Sequence, residues 1–445
     1  MGHNVTARSL ALDALKRVEK DRAFLDRVVD TVLSHVKISD ADRRLFSELA
    51  YGTVRHQRLL DFYIEQALDR KINQTDLPTR TLLRLGAYQI FFLDKIPPHA
   101  AVNETVELSV QYARPIINAV LRKLLREKAT LKTPDAITDP LRRLGVKYSF
   151  PDWMVKLFIA RLGGEAEQFL AANNERPGLS VRTNTLRGSR EELLELFVKE
   201  GIDSRPGNFS PLAVVISEHK YPPSLPGFNK GLFAVQDEAS QLVVMMLAPK
   251  PGSSVLDACA APGTKTLEIF QLMQKTGRLV SADVNEAKLR LGLAEAKRLG
   301  LGGFELLAQD LTAPLKLKTP ALFDAILVDA PCSGFGTIRH HPEIKWLRSP
   351  QDITKLAELQ KRLVKNLAQY VKMNGVLVYS TCTVTREENE EVVATLTESG
   401  EFELTDPAAY LPEPARALVK NNIFQTFPHR HGADGFTAFR LLKVR

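Results

Sequence analysis

Residues 253–270 read SSVLDACAAPGTKTLEIF: a short apolar run ending in Asp257-Ala258, a string of small residues, then an amphipathic stretch. An apolar run of strand length, closed by Pro and Gly and followed by a helical pattern, predicts a strand–turn–helix unit. The unit recurs downstream. Apolar runs at 278–282, 304–308, 323–328 and 374–380 alternate with helical segments at 264–276, 285–299 and 351–373. Buried strands separated by amphipathic helices predict an α/β domain with a doubly wound parallel sheet. Right-handed crossovers bring the carboxyl ends of those strands to one edge, where ligands bind. The residues that follow each run are therefore the candidates for chemistry.

The first junction, Cys259-Ala260-Ala261-Pro262-Gly263-Thr264-Lys265, is neither a Walker A loop nor G-x-G-x-x-G. Its small residues let a ligand approach the backbone, Pro262 stiffens the turn, and the helix beyond begins with free amide donors. Asp283 ends the second run, where a carboxylate accepts hydrogen bonds from ribose hydroxyls. Asp310 ends the third and suits the edge of an adenine ring. Either aspartate alone reads equally well as a helix cap. Two in series on one edge favour an adenosine-containing ligand, and the chain has no long glycine loop for a pyrophosphate. S-adenosylmethionine fits better than NAD or ATP.

The fourth and fifth runs lead to Asp329, Cys332 and Cys382, so all three cysteines of the chain follow strands of this sheet. Three cysteines make no disulfide framework, and a reducing cytoplasm is the natural compartment. A small buried hydrophobe is reading enough for Cys259. A zinc site lacks the spacing of ligands it would need, and no metal is expected. A redox pair of Cys332 with Cys382 is a further alternative. The chemical reading is a thiol acting on a base. Carbon 5 of cytosine is too weak a nucleophile to take a methyl group unaided. A thiolate adding to carbon 6 creates an enamine, an acid such as Asp329 assists at ring nitrogen 3, and loss of the carbon 5 proton then expels the thiol. Spacing does not decide which of Cys332 and Cys382 attacks.

Working outward, residues 178–186, 189–201 and 212–217 read as strand, helix and strand of a small α+β subdomain, preceded by a connector with helices at 151–162 and 164–174. Residues 5–128 carry apolar positions at three- and four-residue spacing, with Pro97-Pro98 and Pro115 as punctuation, and predict an all-helical domain. The expected domains are thus 1–130, 131–230 and 231–445. The 445 residues are 44% hydrophobic and 25% charged, ordinary for a globular chain, with a formal net charge of +8. Residues 1–128 hold 21 Lys/Arg against 16 Asp/Glu. That excess makes nucleic acid the leading partner. No apolar stretch long enough for a membrane span and no secretory signal are present, so no membrane partner is expected.

DACAAPGTKT, VDAPCSGFGTIRHHPEIKW and YSTCTVTREENEEVV together resemble the RNA 5-methylcytosine methyltransferase family, and FSELAYGTVRHQRLLD with NAVLRKLLRE resembles the RNA-binding fold of the antitermination factor NusB. The resemblance implies a multidomain chain: an all-α NusB-like domain, a small α+β subdomain and a Rossmann-like methyltransferase domain that uses S-adenosylmethionine. It implies small-subunit ribosomal RNA as substrate, a monomer, Cys382 as nucleophile, Cys332 as the residue that helps free the product, and Asp329 facing both cofactor and cytosine. Residues Cys259 to Lys265, with Asp283 and Asp310, match the cofactor-binding positions. Thr264 stands where the family has a second glycine, and fits if it begins the helix; His340 stands where arginine is common. DGFTAFRLLKV (434–444) resembles the family's closing antiparallel strand. Arg182, Asn184, Arg339, His341 and Lys345 are the expected RNA contacts, and the acidic run 387–391 is expected to be the solvated start of the next helix.

Overall fold

In the computed structural model, residues 5–217, 221–319 and 321–445 are described. The chain condenses into two compact units, Met1–Glu175 with Ile338–Arg348, and Arg176–Thr337 with Ser349–Arg445. The helices of the connector thus join the helical unit, and the small sheet joins the other.

The helical unit is built from Ala7–Asp21, Leu25–His35, Asp40–Arg55, Gln57–Ala67, Leu77–Phe92, Pro98–Glu107 and Arg114–Glu127, followed by Pro140–Lys147, Asp152–Leu162 and Ala166–Ala172. Start signals explain the boundaries. Thr6 and Ser9 form a capping box, and Ser39 and Asp76 accept amide hydrogens of the first turns they precede. Pro98 and Pro115 sit in first turns, where the missing N–H costs nothing, so these prolines start helices. Leu77–Phe92 is buried on nearly every side and forms the spine of the core.

Residues Ile338–Arg348 belong to this unit although the sequence places them in the loop after the fourth sheet strand. Trp346 donates its indole N–H to the Val54 carbonyl at 2.9 Å and packs against the helical core. Glu343 accepts the Leu25 amide at 3.0 Å, capping the helix Leu25–His35. No helix among the described residues is long and apolar enough to cross a membrane.

The second unit holds two sheets. Strands β1 (Leu179–Thr183), β2 (Ser204–Pro206), β3 (Ala213–Ile216) and β4 (Phe233–Val235) form an antiparallel sheet in the order β2-β3-β1-β4. Helix Arg190–Lys199 packs Leu193 and Phe197 against Val181, Val214, Ile216 and Phe233. The large sheet comprises β5 (Ser254–Ala258), β6 (Arg278–Asp283), β7 (Glu305–Ala308), β8 (Phe323–Asp329), β9 (Val371–Thr381), β10 (Phe402–Thr405), β11 (Val419–Lys420), β12 (Ile423–Gln425) and β13 (Thr437–Lys443). Its order is β11-β12-β13-β9-β8-β5-β6-β7, with β10 beside β13. Strands β9, β8, β5, β6 and β7 are mutually parallel, and β13 runs antiparallel to β9. The chain winds from β5 to β6 and β7 in one direction, then crosses to β8 and β9 on the other side. That reversal beside β5 opens a crevice at the carboxyl edge.

Candidate active site

The loop after β5 is shaped by two glycines. Gly263 takes φ 106°, a conformation that favours glycine, and Thr264 begins the helix Thr264–Leu272, so threonine meets no strain there. A Cβ on Gly292 would lie 2.3 Å from the Pro262 carbonyl oxygen, so only glycine lets the helix Glu286–Leu299 press on the loop. Cys259 holds φ 60°, unusual for a side-chain-bearing residue, and its thiol is pushed up by burial and by Asp283, Asp329 and Asp257. It is a poor nucleophile and fits the loop as a small packed residue.

Asp283 accepts the Ala261 amide at 3.1 Å with one oxygen and the Asn285 amide at 2.8 Å with the other. Its carboxylate is thus oriented at the loop. Asp310 is exposed and accepts both the amide and the hydroxyl of Thr312, at 2.9 and 2.8 Å, through a single oxygen. Directly after Asp283 comes Val284, 73% exposed and the most exposed large hydrophobic side chain described. A small-residue loop, two oriented acids and an uncovered apolar side chain fit the methionine, ribose and adenine portions of S-adenosylmethionine.

Beneath the loop, Asp257 is fully buried and accepts the Thr266 hydroxyl at 2.5 Å, and burial pushes its pKa up to about 7. An aspartate in the unfolded chain ionises near pH 4. Between those values the native state binds more protons than the unfolded state, so stability falls as pH rises from about 4 to 7. Asp257→Asn removes this titration. The melting temperature of the variant minus that of the native chain should therefore grow between pH 5 and pH 8 in thermal denaturation.

Lys265, at the end of this loop, reaches the tip of β8. Its ammonium lies 2.6 Å from one Asp329 oxygen and 5.2 Å from the centre of the Phe436 ring, and Ser380 of β9 donates to the other Asp329 oxygen at 2.8 Å. Burial works against the lysine charge, but Asp329, Cys382 and Asp257 outweigh it and hold Lys265 above its ordinary pKa. Because β8 and β9 are parallel neighbours with Asp329 opposite Ser380, the loops that follow them run side by side. This brings Cys332 and Cys382 together, Sγ to Sγ 3.2 Å. The hydrogen bond to Cys382, then burial, raises Cys332 well above the usual thiol range, so Cys332 keeps its proton.

The structure corrects the expected RNA contacts. Arg182 is 1% exposed: it donates to Gln236, to the Thr264 carbonyl at 3.2 Å, and lies 3.5 Å from Glu268. Burial pushes Glu268 up to about 7, opposed by Arg182 and by Gln236. Asn184 is equally buried and donates to the carbonyls of Gly231 and Leu299, each at 2.9 Å. Arg182 ties the small sheet to the start of the helix Thr264–Leu272, Asn184 ties it to the end of the helix Glu286–Leu299, and both are too buried to reach a polymer. Lys345 is fully buried, donating to the Arg55 carbonyl at 3.0 Å and to Asn174 at 2.6 Å, and Arg339 is buried as well. His341 is half-buried, with its Nδ1 facing Glu343 and Asp26 at 3.7 and 4.0 Å. Arg182→Ala should cost roughly 3–5 kcal/mol of stability, as removing one partner of a buried pair does. The salt dependence of RNA binding by the folded variant should not change, whereas a lost phosphate contact would reduce its slope by about 1.

The acidic run is also corrected. Glu387 and Glu391 are exposed, but Glu388 and Asn389 are fully buried between the two cysteine loops. Nothing in their spacing distinguishes them from their exposed neighbours.

The sheet order, the small-residue loop and the acids at successive strand ends define a methyltransferase domain. A family model described as 16S rRNA methyltransferase RsmB/F matches residues 244–442, the NusB family model matches residues 5–126, and a model described as Methyltr_RsmF/B-like, ferredoxin-like domain matches residues 150–221. The chain is 37% identical over 441 residues to the probable ribosomal RNA small subunit methyltransferase B of Bacillus subtilis, covering 97% of each chain. It is 34% identical over 448 residues to the ribosomal RNA small subunit methyltransferase B of Yersinia enterocolitica, covering 100% of each. The crystal structure of PH0851 superposes with a TM-score of 0.83 at 25% identity, covering 100% of each chain. The chain belongs to the 16S rRNA methyltransferase RsmB/F family.

Proposed function

We propose that this protein methylates carbon 5 of one cytosine in small-subunit ribosomal RNA, with Cys382 as the covalent nucleophile. The observation that carries the reading is the pair of thiols 3.2 Å apart at the ends of β8 and β9, beside a carboxylate held by Lys265 and Ser380. S-adenosylmethionine, when bound along the loop from Cys259 to Lys265 with Asp283 and Asp310, supplies the methyl group. The Cys382 thiolate adds to carbon 6 of the cytosine while Asp329, kept in place by two donors and entering this step as the carboxylic acid, gives its proton to ring nitrogen 3 and takes it back on elimination. Carbon 5 is then electron-rich enough to accept the methyl group. Loss of the carbon 5 proton to solvent restores the double bond and breaks the bond between sulfur and carbon 6. Cys332 retains its proton and lies within hydrogen-bond distance of the departing Cys382 thiolate, which it stabilises.

The ribosomal RNA substrate rests on family membership together with the basic N-terminal segment. Bisulfite sequencing of small-subunit ribosomal RNA from a strain lacking the gene tests it. One 5-methylcytosine should disappear and return on complementation. An unchanged ribosomal pattern with a methylation lost from transfer RNA would overturn the substrate assignment.

A further inference from the structure

Glu388 takes no part in the scheme above, yet it is fully buried beside the two thiols. One carboxylate oxygen accepts the Ser333 amide at 2.7 Å and the Gln360 side-chain amide at 3.2 Å; the other accepts the Ser333 hydroxyl at 2.5 Å and the Thr385 hydroxyl at 2.8 Å. An ionised carboxylate has about four acceptor positions, and here four donors meet it. Those donors come from both sides of the centre. Ser333 directly follows Cys332, and Thr385 lies three residues beyond Cys382. Gln360 also donates to the Pro331 carbonyl at 2.8 Å, on the other flank of Cys332. The Glu388 carbonyl accepts the Tyr379 hydroxyl at 2.6 Å, which ties it to β9 just before Cys382. Ser333 and Thr383, the residues that follow the two cysteines, are themselves joined through their hydroxyls at 2.7 Å.

We propose that Glu388 is a positioning residue that sets the two cysteine loops against each other and so keeps Cys332 in reach of the departing Cys382 sulfur. This rests on the thiol roles proposed above. A carboxylate suits the post because every group that meets it is a donor. Glutamine would turn an amide NH2 toward two of them, and alanine would leave four donors without their acceptor. The negative charge has a second effect in the same direction: it disfavours ionisation of Cys332, helping that thiol stay a proton donor.

The test compares Glu388→Gln, Ser333→Ala and Cys332→Ala with the native protein, using in vitro transcribed small-subunit ribosomal RNA and S-adenosylmethionine. A loop displaced by about 1 Å costs on the order of 10²-fold in rate. Glu388→Gln should lose turnover on that scale, with its affinity for S-adenosylmethionine within twofold of native by calorimetry. It should also accumulate a covalent RNA–protein adduct resistant to denaturant, because attack survives while release is slowed. Ser333→Ala, which removes one donor, should show the same signature more weakly and guards against misfolding of the first variant. Native turnover without adduct in both variants would overturn the proposal. So would parallel loss of cofactor binding and adduct formation, the mark of a merely structural role. If Cys332→Ala binds the cofactor but yields no adduct, the thiol roles themselves are wrong and the proposal falls with them.

Discussion

Cys382→Ala is expected to lose methyl transfer by more than roughly 10³-fold while binding S-adenosylmethionine with native affinity. The expectation follows from the electronics of the base. Without a sulfur on carbon 6, carbon 5 has no enamine character, and positioning by Asp329 and Lys265 acts on a ring that cannot respond. Cys332 is a poor substitute, because its neighbour and its burial hold it as a neutral thiol. Cofactor affinity should survive because the loop from Cys259 to Gly263 and Asp283 are held by their own bonds to β6 and to each other, none of which uses Cys382. Filter-binding methylation assays and calorimetry on the same preparation measure both halves. Transfer at a tenth of the native rate or better would remove Cys382 from the nucleophile's role. A covalent adduct accumulating in this variant would exchange the roles of the two cysteines.

What could be read from the sequence followed from which side chains leave a periodic trace. Strands buried on both faces appear as unbroken apolar runs, so β5, β6, β8 and β9 and the edge they share were legible, and with them the neighbourhood of Asp329, Cys332 and Cys382. Thr264 at a helix start was legible for the same reason: the helical period begins there. Charged residues leave no such trace. Arg182 alternates within β1 as a solvated arginine would, and only the fold brings Glu268 and Gln236 up against it. Arg339, His341 and Lys345 read as a cationic string after the fourth strand, but in the helical unit Lys345 serves a carbonyl group and an asparagine, His341 faces carboxylates, and the Arg339 carbonyl accepts from Arg55. Glu388 sits in an acidic run whose other glutamates at 387 and 391 face solvent. A single sequence carries no mark of which member turns inward, since that depends on a loop 55 residues away.

Cys332→Ala should have the opposite phenotype from Cys382→Ala: chemistry proceeds, and the product does not leave. In the proposed scheme addition of Cys382 to carbon 6 needs Asp329 in place, and its partners Lys265 and Ser380 are untouched by the change. Expulsion of the sulfur is a different demand. In the proposed scheme negative charge gathers on Cys382 as its bond to carbon 6 breaks, while the amide and hydroxyl of Ser333 and the hydroxyl of Thr385 are engaged by Glu388 and that of Thr381 by Asn389. The thiol of Cys332, at 3.2 Å, is a donor within reach of that charge. Removing it should slow release by about 10²–10⁴-fold, the usual range for a positioned acid or base, and leave methyl transfer within a single turnover close to native. Gel electrophoresis under denaturing conditions should show a stoichiometric RNA–protein adduct that Cys382→Ala, alone or combined with Cys332→Ala, cannot form. Multiple turnover at the native rate by Cys332→Ala would mean that a group other than this thiol carries the elimination.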